Sequence, residues 1–404
     1  MILGVLCELR GELFCLFLIR LEVYRAAGWV ETDRFLTHAM AEKPERTCKT
    51  ILRNGEDNIM KAMVTEKFGG PENFRWRDWP DPEVKPGEVL IRIRAISINP
   101  VDYKMRCGHL PIPLPDVLGR DVAGTIETVG EDVTGFDVGD EVFAVLFGPR
   151  SNGAYAQYVS TPAPFVCRKP KGLSFKQSAC LGVAGMTAYD AVVNKAKVQS
   201  GETVLVAGGA GGVGSFAIPL IQNGGAASII ATAGGQESCD HLVNAMGIAG
   251  DHIIRYRELN VEQIKNRVRE LTDGRGVSVA FDFVGGEMKK LCFDVTGFDG
   301  RIVSIVEEPP EFDFNIWRAD ISPFFAKSGT YHFVALSARA RNGETKDWHV
   351  YQPMMSDLAS RVETNTLTLP KATELGELSE ETISRAHSLL EAGHVKGKLV
   401  LTVG

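Results

Sequence analysis

Three glycines, spaced Gly209-x-Gly211-x-x-Gly214, stand between the apolar run Thr203–Ala207 and a second apolar run, Ser215–Gln222. A buried strand, a glycine turn and a helix in that order make a seat for a pyrophosphate. The first glycine permits the tight turn, the second lets the backbone approach the phosphates, and the third lets helix and strand pack closely. The helix N-terminus adds unpaired N–H groups and a partial positive charge. This context predicts dinucleotide binding; the alternative is a glycine corner with a purely structural role.

The end of the next strand bears on which dinucleotide. A site for NAD usually places Asp or Glu about 20 residues further on, to hold the ribose 2′-hydroxyl. Here the stretch reads Ala231-Thr232-Ala233-Gly234-Gly235-Gln236, with no carboxylate. A 2′-phosphate meets no repulsion there, and Thr232, Ala233 and Gly234 offer small polar groups and backbone amides to it. Arg255, Tyr256 and Arg257 follow the third strand and either reach the adenosine end or form a solvated loop. The reading is NADPH rather than NADH.

These residues need a scaffold, and the rhythm of the chain describes one. From Met60 to about Leu181, short alternating apolar runs such as Val89–Ile96 and Val122–Val129 are broken by Gly, Pro and Asp, which predicts an all-β unit of barrel type. From about Ala184 strands and helices alternate: strands at Thr203–Ala207, Ser228–Thr232, Val279–Phe283, Arg301–Val306 and Tyr331–Ala335, with a helix at Cys239–Met246. That pattern predicts a parallel sheet with right-handed crossovers. The tail carries a helical stretch Ser379–Glu391 and a closing strand Lys398–Thr402, and returns to the β unit. The expected fold is α/β: a β-barrel domain (60–183 plus 364–404) interrupted by a dinucleotide-binding domain (184–363).

Composition agrees with a globular enzyme: 404 residues, 44% hydrophobic, 24% charged, formal net charge −7. An acidic balance without a basic block argues against nucleic acid as the main partner. The eight cysteines are scattered with no C-x-x-C pair, which suits reduced thiols in the cytoplasm and gives no zinc knuckle. Residues 1–59 differ, holding four of the 42 glycines and nine Asp/Glu against eight Lys/Arg. The seven apolar residues Leu13–Ile19 are too few for a membrane span, and the acids do not suit a mitochondrial presequence. The segment is expected to be a peripheral extension; an organelle address or a membrane-surface anchor is the other reading.

The run Asn99-Pro-Val-Asp-Tyr-Lys104, then Leu118-Gly-Arg-Asp-Val-Ala-Gly124, Val138-Gly-Asp-Glu-Val-Phe143, Gly185-Met-Thr-Ala-Tyr189, the glycine turn, Phe281-Asp-Phe-Val-Gly-Gly286 and Gly397-Lys-Leu-Val400 resembles the medium-chain dehydrogenase/reductase superfamily. The motifs come in the expected order and cover nearly all of 60–404. Within the superfamily the chain is similar to the zinc-free quinone oxidoreductase and alkenal/enone (enoyl) reductase branch. The resemblance implies a GroES-like β domain, an inserted Rossmann domain and a cofactor in the cleft between them. In the superfamily's zinc enzymes a Cys stands at position 99, a His-Glu pair at 120–121 and a Cys at 183. Here Asn99, Arg120-Asp121 and Val183 cannot supply that ligand set, so no metal is expected.

Without a Lewis acid, reduction of an α,β-unsaturated carbonyl is easier than that of a simple ketone. Hydride arrives at the β-carbon, the developing charge spreads onto the carbonyl oxygen, and donors near that oxygen stabilise it. The resemblance places Lys104 beside the nicotinamide ribose and the substrate, where its ammonium bonds the ribose or the carbonyl; the alternative is a surface lysine on a turn. Tyr103 donates its phenol or simply packs. Asp102 fixes the local turn or contacts the amide region, and Asn99 caps the turn and contacts the cofactor. Carried over by position are Thr187 at the nicotinamide ribose and Ala210, Gly211, Gly212 and Val213 at the pyrophosphate, beside the Gly209 and Tyr256 already read from the turn and from the end of the third strand. Val284 and Gly285 face the nicotinamide, and Lys398 and Leu399 match a C-terminal contact, although Lys398 also reads as a strand-edge charge. Leu110–Pro115 is expected to wall the cleft. The implied substrate is a small enone, enal, enoyl compound or quinone. Competing readings are a trans-acting enoyl reductase on carrier-bound chains and an NADPH-binding scaffold without turnover. A homodimer is expected by analogy.

Overall fold

Strand β3 (Glu88–Ile98) is the spine of the barrel half. Almost every side chain on it is buried, Arg92 being the exposed exception, so it needs neighbours on both edges and both faces. A computed structural model of the chain describes residues 59–110, 113–147, 153–308, 312, 323–393 and 395–404. Residues 1–58 of the N-terminal extension and two residues of the Leu110–Pro115 loop lie outside them, whereas Ile59, read as the end of the extension, already belongs to a strand. Strand β3 pairs antiparallel with β4 (Asp121–Val129), β6 (Tyr158–Pro162) and β15 (Lys398–Thr402). With β5 (Glu141–Val145), β7 (Val166–Arg168) and β14 (Ala372–Glu377) they form a seven-stranded sheet. The hairpin β1 (Ile59–Thr65) and β2 (Phe74–Pro80) joins it through bridges at Ala62–Ala156 and Val64–Val117. Ile91, Ile93, Ile96, Val122 and Leu401 fill the interior.

The second half is a six-stranded parallel sheet ordered β10-β9-β8-β11-β12-β13, with β8 Thr203–Ala207, β9 Ser228–Ala233, β10 Ile253–Arg255, β11 Val277–Asp282, β12 Thr296–Ser304 and β13 Thr330–Phe333. Alternate residues of β8 serve opposite layers, as the two-residue period of a strand requires. Val204 and Val206 pack with Phe216 and Ile218, whereas Leu205 and Ala207 pack with Ile264 and Leu291. Both faces are therefore covered by helices, and the strand order reverses between β8 and β11. In open α/β sheets that reversal opens a crevice at the carboxyl ends of the strands.

Several boundaries differ from the sequence reading. Strand β12 stops at Ser304 rather than Val306, because the Ser304 hydroxyl accepts the Val306 N–H at 3.3 Å and turns the chain. The helix expected at 239–246 runs Gln236–Asn244, and β13 ends at Phe333. Strand β14 is not announced by the sequence; it pairs with β15, but its exposed pattern carries no apolar alternation.

Candidate functional site

The glycine turn sits at the point where the strand order reverses. Helix α2 (Gly212–Asn223) starts three residues before the expected Ser215, so its first N–H groups belong to the motif itself. The positive φ of the turn falls on Gly208 (+84°), one residue before the glycine expected to need it. Gly214 behaves as expected: a Cβ there would lie 2.3 Å from the Gly208 carbonyl oxygen. At Gly211 a Cβ would meet only that same oxygen, at 3.4 Å, which leaves the backbone approachable. The Thr232 hydroxyl accepts the Gly208 N–H at 3.3 Å. It thus holds the turn from the neighbouring strand.

Across the turn lies the end of β11. Asp282, fully buried, accepts the N–H groups of Val284 (3.1 Å) and Gly285 (2.7 Å) on Oδ1, and the Ser304 hydroxyl on Oδ2 at 2.7 Å. This fixes the loop after β11 and leaves Val284 half exposed, 2.9 Å from where a Cβ on Gly208 would be. Gly286 donates to Glu308 at 2.9 Å, and Lys289 joins Glu308 at 2.8 Å. Sequence reasoning does not single out Asp282. Its signal is an acid closing an apolar strand directly before Phe-Val-Gly-Gly.

The barrel contributes helix α1 (Pro100–Arg106). Asn99 is its N-cap; the Asn99 N–H donates to Asp102 Oδ2 at 2.7 Å, the reciprocal half of a capping box. Asp102 is completely buried, and burial raises its carboxyl to about 7 against the backbone N–H of Asn99, which lowers it. Tyr103 and Lys104 are half-buried on the same helix, and burial pushes the Tyr103 phenol up. His109 is exposed.

Lys398 connects the two halves. It is 3% exposed, and β15 lies inside the sheet between β14 and β3, so the strand-edge reading is overturned. Its ammonium donates to Asn99 Oδ1, to Asp121 Oδ2 at 3.3 Å and to the Ile98 carbonyl at 3.5 Å. Its stem passes Gly212, where a Cβ would come within 3.3 Å of Cδ, and Gly397 donates to the Ala210 carbonyl at 3.2 Å. Asp121 also accepts Asn99 Nδ2 (2.8 Å) and the Val183 N–H (2.7 Å). Burial pushes its carboxyl up while Lys398 and these donors pull it down. Gly182 is required beside it, since a Cβ there would lie 2.2 Å from Oδ1. From sequence alone Asp121 figures only as a failed metal position. Leu399 points into the barrel core.

Thr187 lies buried in the short helix Met186–Tyr189. At the adenosine end, Ala233 is buried, and Gly234 makes room for Tyr256 and Arg257: a Cβ would lie 2.9 Å from the phenol oxygen and 3.4 Å from Arg257 Nε. Arg257 stands 5.9 Å from the Tyr256 ring centre and is exposed, whereas Arg255 belongs to β10 and pairs with Glu258.

The alcohol dehydrogenase GroES-like domain family matches residues 85–171, and the zinc-binding dehydrogenase family matches residues 249–401. A 2-methylene-furan-3-one reductase from Solanum lycopersicum is 32% identical over 79% of this chain and 73% of its own length. A human quinone oxidoreductase is 33% identical over 61% of this chain and 73% of its own. A mycobacterial protein solved in complex with NADPH shares 29% identity, with a TM-score of 0.73 over 85% of this chain and all of that one. The zinc in the second family's name does not fit the residues present. Asn99 and Asp121 are already engaged with the Lys398 ammonium, and Val183 offers only its N–H. Among the described residues no group of three or more His, Cys, Asp or Glu side chains could hold a metal ion. The ordered motifs, the barrel and doubly wound sheet, and the relatives agree: the chain belongs to the quinone oxidoreductase and enone reductase branch of the medium-chain dehydrogenase/reductase superfamily.

Proposed function

We propose that the chain is an NADPH-dependent, zinc-independent reductase of α,β-unsaturated carbonyl compounds or quinones. The observation that carries the reading is the Lys398 bridge, which joins the Asn99–Asp121 pair of the barrel to the glycine turn of the sheet. The cofactor supplies the hydride when bound. The N–H groups opening α2 hold its pyrophosphate, Tyr256 and Arg257 receive the 2′-phosphate, and Val284 and Gly285 face the nicotinamide. Asn99 and Lys398 keep the barrel side of the cleft in register with that seat. Lys104 and Tyr103 then donate toward the substrate carbonyl oxygen, where negative charge develops. A methylene conjugated to a furanone carbonyl and a quinone are both such acceptors, which supports the substrate class. In this reading residues 60–183 and 364–404 are the catalytic lobe and 184–363 the cofactor lobe.

The compartment we assign is the cytoplasm, supported by five unpaired cysteines among the described residues. No described helix is long and apolar enough to cross a membrane. A homodimer belongs to the same reading, with exposed Phe333 on the edge strand β13 as its supporting feature.

The test is NADPH consumption with a quinone, a short enal, an enoyl thioester and a simple aldehyde. Turnover of the first two and not the aldehyde is expected, with Lys104→Ala lowering it at least tenfold. Activity confined to the thioester would instead favour a carrier-dependent enoyl reductase. Tight NADPH binding without turnover of any would leave a scaffold.

A further inference from the structure

Helix α3 (Glu287–Val295) packs Met288, Leu291, Cys292, Phe293 and Val295 against the parallel sheet, and Lys289 is buried with them. A buried ammonium needs partners. Lys289 Nζ donates to the Val306 carbonyl at 2.7 Å and pairs with Glu308 Oε1 at 2.8 Å, and Asp282 Oδ2 stands 3.9 Å away. All three partners lie at the carboxyl ends of the strands: Asp282 closes β11, and Val306 and Glu308 follow β12.

The same two carboxylates hold the loop that follows β11. Glu308 Oε1 accepts the Gly286 N–H, and Asp282 Oδ1 accepts those of Val284 and Gly285. The Ser304 hydroxyl closes the ring, donating to Asp282 Oδ2 and accepting the Val306 N–H. Three consecutive loop N–H groups thus end on two carboxylates that share one buried ammonium. The loop has little slack: Gly285 and Gly286 have φ of +85° and +58°, and a Cβ on Gly285 would lie 2.7 Å from Val306 Cγ1 and 2.9 Å from Glu308 Oε1. Stability alone does not call for such a device, since replacing a buried ion pair with apolar residues of similar volume is often neutral or stabilising. What apolar residues lack is an acceptor for Gly286.

We propose that Lys289 and Glu308 are positioning residues for the nicotinamide half of the cofactor. Lys289 holds the Glu308 carboxylate and the Val306 carbonyl, Glu308 holds Gly286, and the loop Val284–Gly286 is thereby fixed beside the glycine turn. The inference rests on the reading that puts Val284 and Gly285 at the nicotinamide. The clamp lies on the β11–β12 side of the sheet, whereas the corner at Tyr256 and Arg257 follows β10, beyond β8 and β9. Loosening the clamp therefore weakens the hold on the nicotinamide and spares the adenosine end.

Isothermal titration calorimetry of the full chain with NADPH and with 2′-phospho-ADP-ribose, which lacks the nicotinamide, tests this. Lys289→Met keeps the stem and strands Glu308. It should raise the Kd for NADPH at least about fivefold, the worth of one hydrogen bond, and that for 2′-phospho-ADP-ribose less than about twofold. Glu308→Ala, which releases Gly286, should do the same. Glu308→Gln retains Oε1 as the acceptor, so Lys289→Met/Glu308→Gln removes the stranded charge and should recover most of the NADPH affinity. Where Lys289→Met does not fold, the two Glu308 variants decide: Glu308→Ala loses NADPH selectively and Glu308→Gln stays near wild type. A ratio of the two affinities that is the same in Lys289→Met, or in Glu308→Ala, as in the wild type overturns the proposal. A wild type that binds neither ligand refutes the cofactor reading and this inference with it. One that binds NADPH but reduces no acceptor refutes the reductase reading alone, because the binding ratio needs no turnover.

Discussion

Replacing Lys398 by Met keeps a long unbranched stem beside Gly212 and leaves the β15 ladder untouched, because both strand pairings use backbone groups. What disappears is the ammonium between Asn99 and Asp121. Asp121 is completely buried, and Lys398 is the cation 3.3 Å from its Oδ2. Breaking a buried pair by removing one partner leaves an uncompensated charge and costs about 3–5 kcal/mol. Burial already pushes the Asp121 carboxyl upward, so in the variant it takes up a proton more readily. The loss is then full at alkaline pH and shrinks as pH falls. Urea unfolding of wild type and Lys398→Met at pH 8 and pH 6, followed by tryptophan fluorescence, measures it. Adding Asp121→Asn removes the stranded charge and should recover most of the loss. A Lys398→Met protein within about 1 kcal/mol of wild type at pH 8 would refute the reasoning about this bridge, as would a double variant no more stable than the single one.

Asp102 gives a pH dependence of known sign. Its folded value of about 7 lies above the ordinary ~3.9. Its contribution to stability is therefore full below about pH 4 and is lost as pH rises to 7, on the order of 4 kcal/mol. Asp102→Asn should gain on wild type across that window, and an unfolding free-energy difference that stays flat from pH 5 to 8 would contradict it. Gly214→Ala places a Cβ 2.3 Å from the Gly208 oxygen; it should reduce NADPH affinity at least tenfold by fluorescence titration while the barrel folds normally by circular dichroism. Arg257→Ala should weaken NADPH about tenfold, the worth of one charge-assisted hydrogen bond, and leave NADH unchanged in the same titration.

Much of the architecture is legible in the sequence because it depends on short-range pattern. Thr203–Ala207 and Lys398–Thr402 are strands with the bounds read from their apolar runs, and the glycine turn declares itself by spacing. The capping-box role of Asp102 follows from its place three residues after Asn99. Long-range pairing is not legible. Lys398 lies 277 residues from Asp121, and it takes the antiparallel pairing of both β15 and β4 with β3 to bring them together. The His387–Tyr155 contact spans 232 residues and depends on the helix Glu380–Glu391 packing over α1. A lone histidine in an amphipathic helix carries no sign of such a partner. Thr232 shows the opposite case: its position at the strand end is plain from the sequence, yet its hydroxyl serves the turn of a neighbouring strand.

The most direct test of the central claim is a single turnover in protein dialysed against a strong chelator and assayed for residual metal. NADPH is bound at the cleft and the oxidation of that bound cofactor is followed after mixing with a 2-alkenal. The account predicts stoichiometric oxidation at a rate that added zinc does not raise, and a clear preference for NADPH over NADH. Bound NADPH that stays reduced until zinc is restored would contradict it.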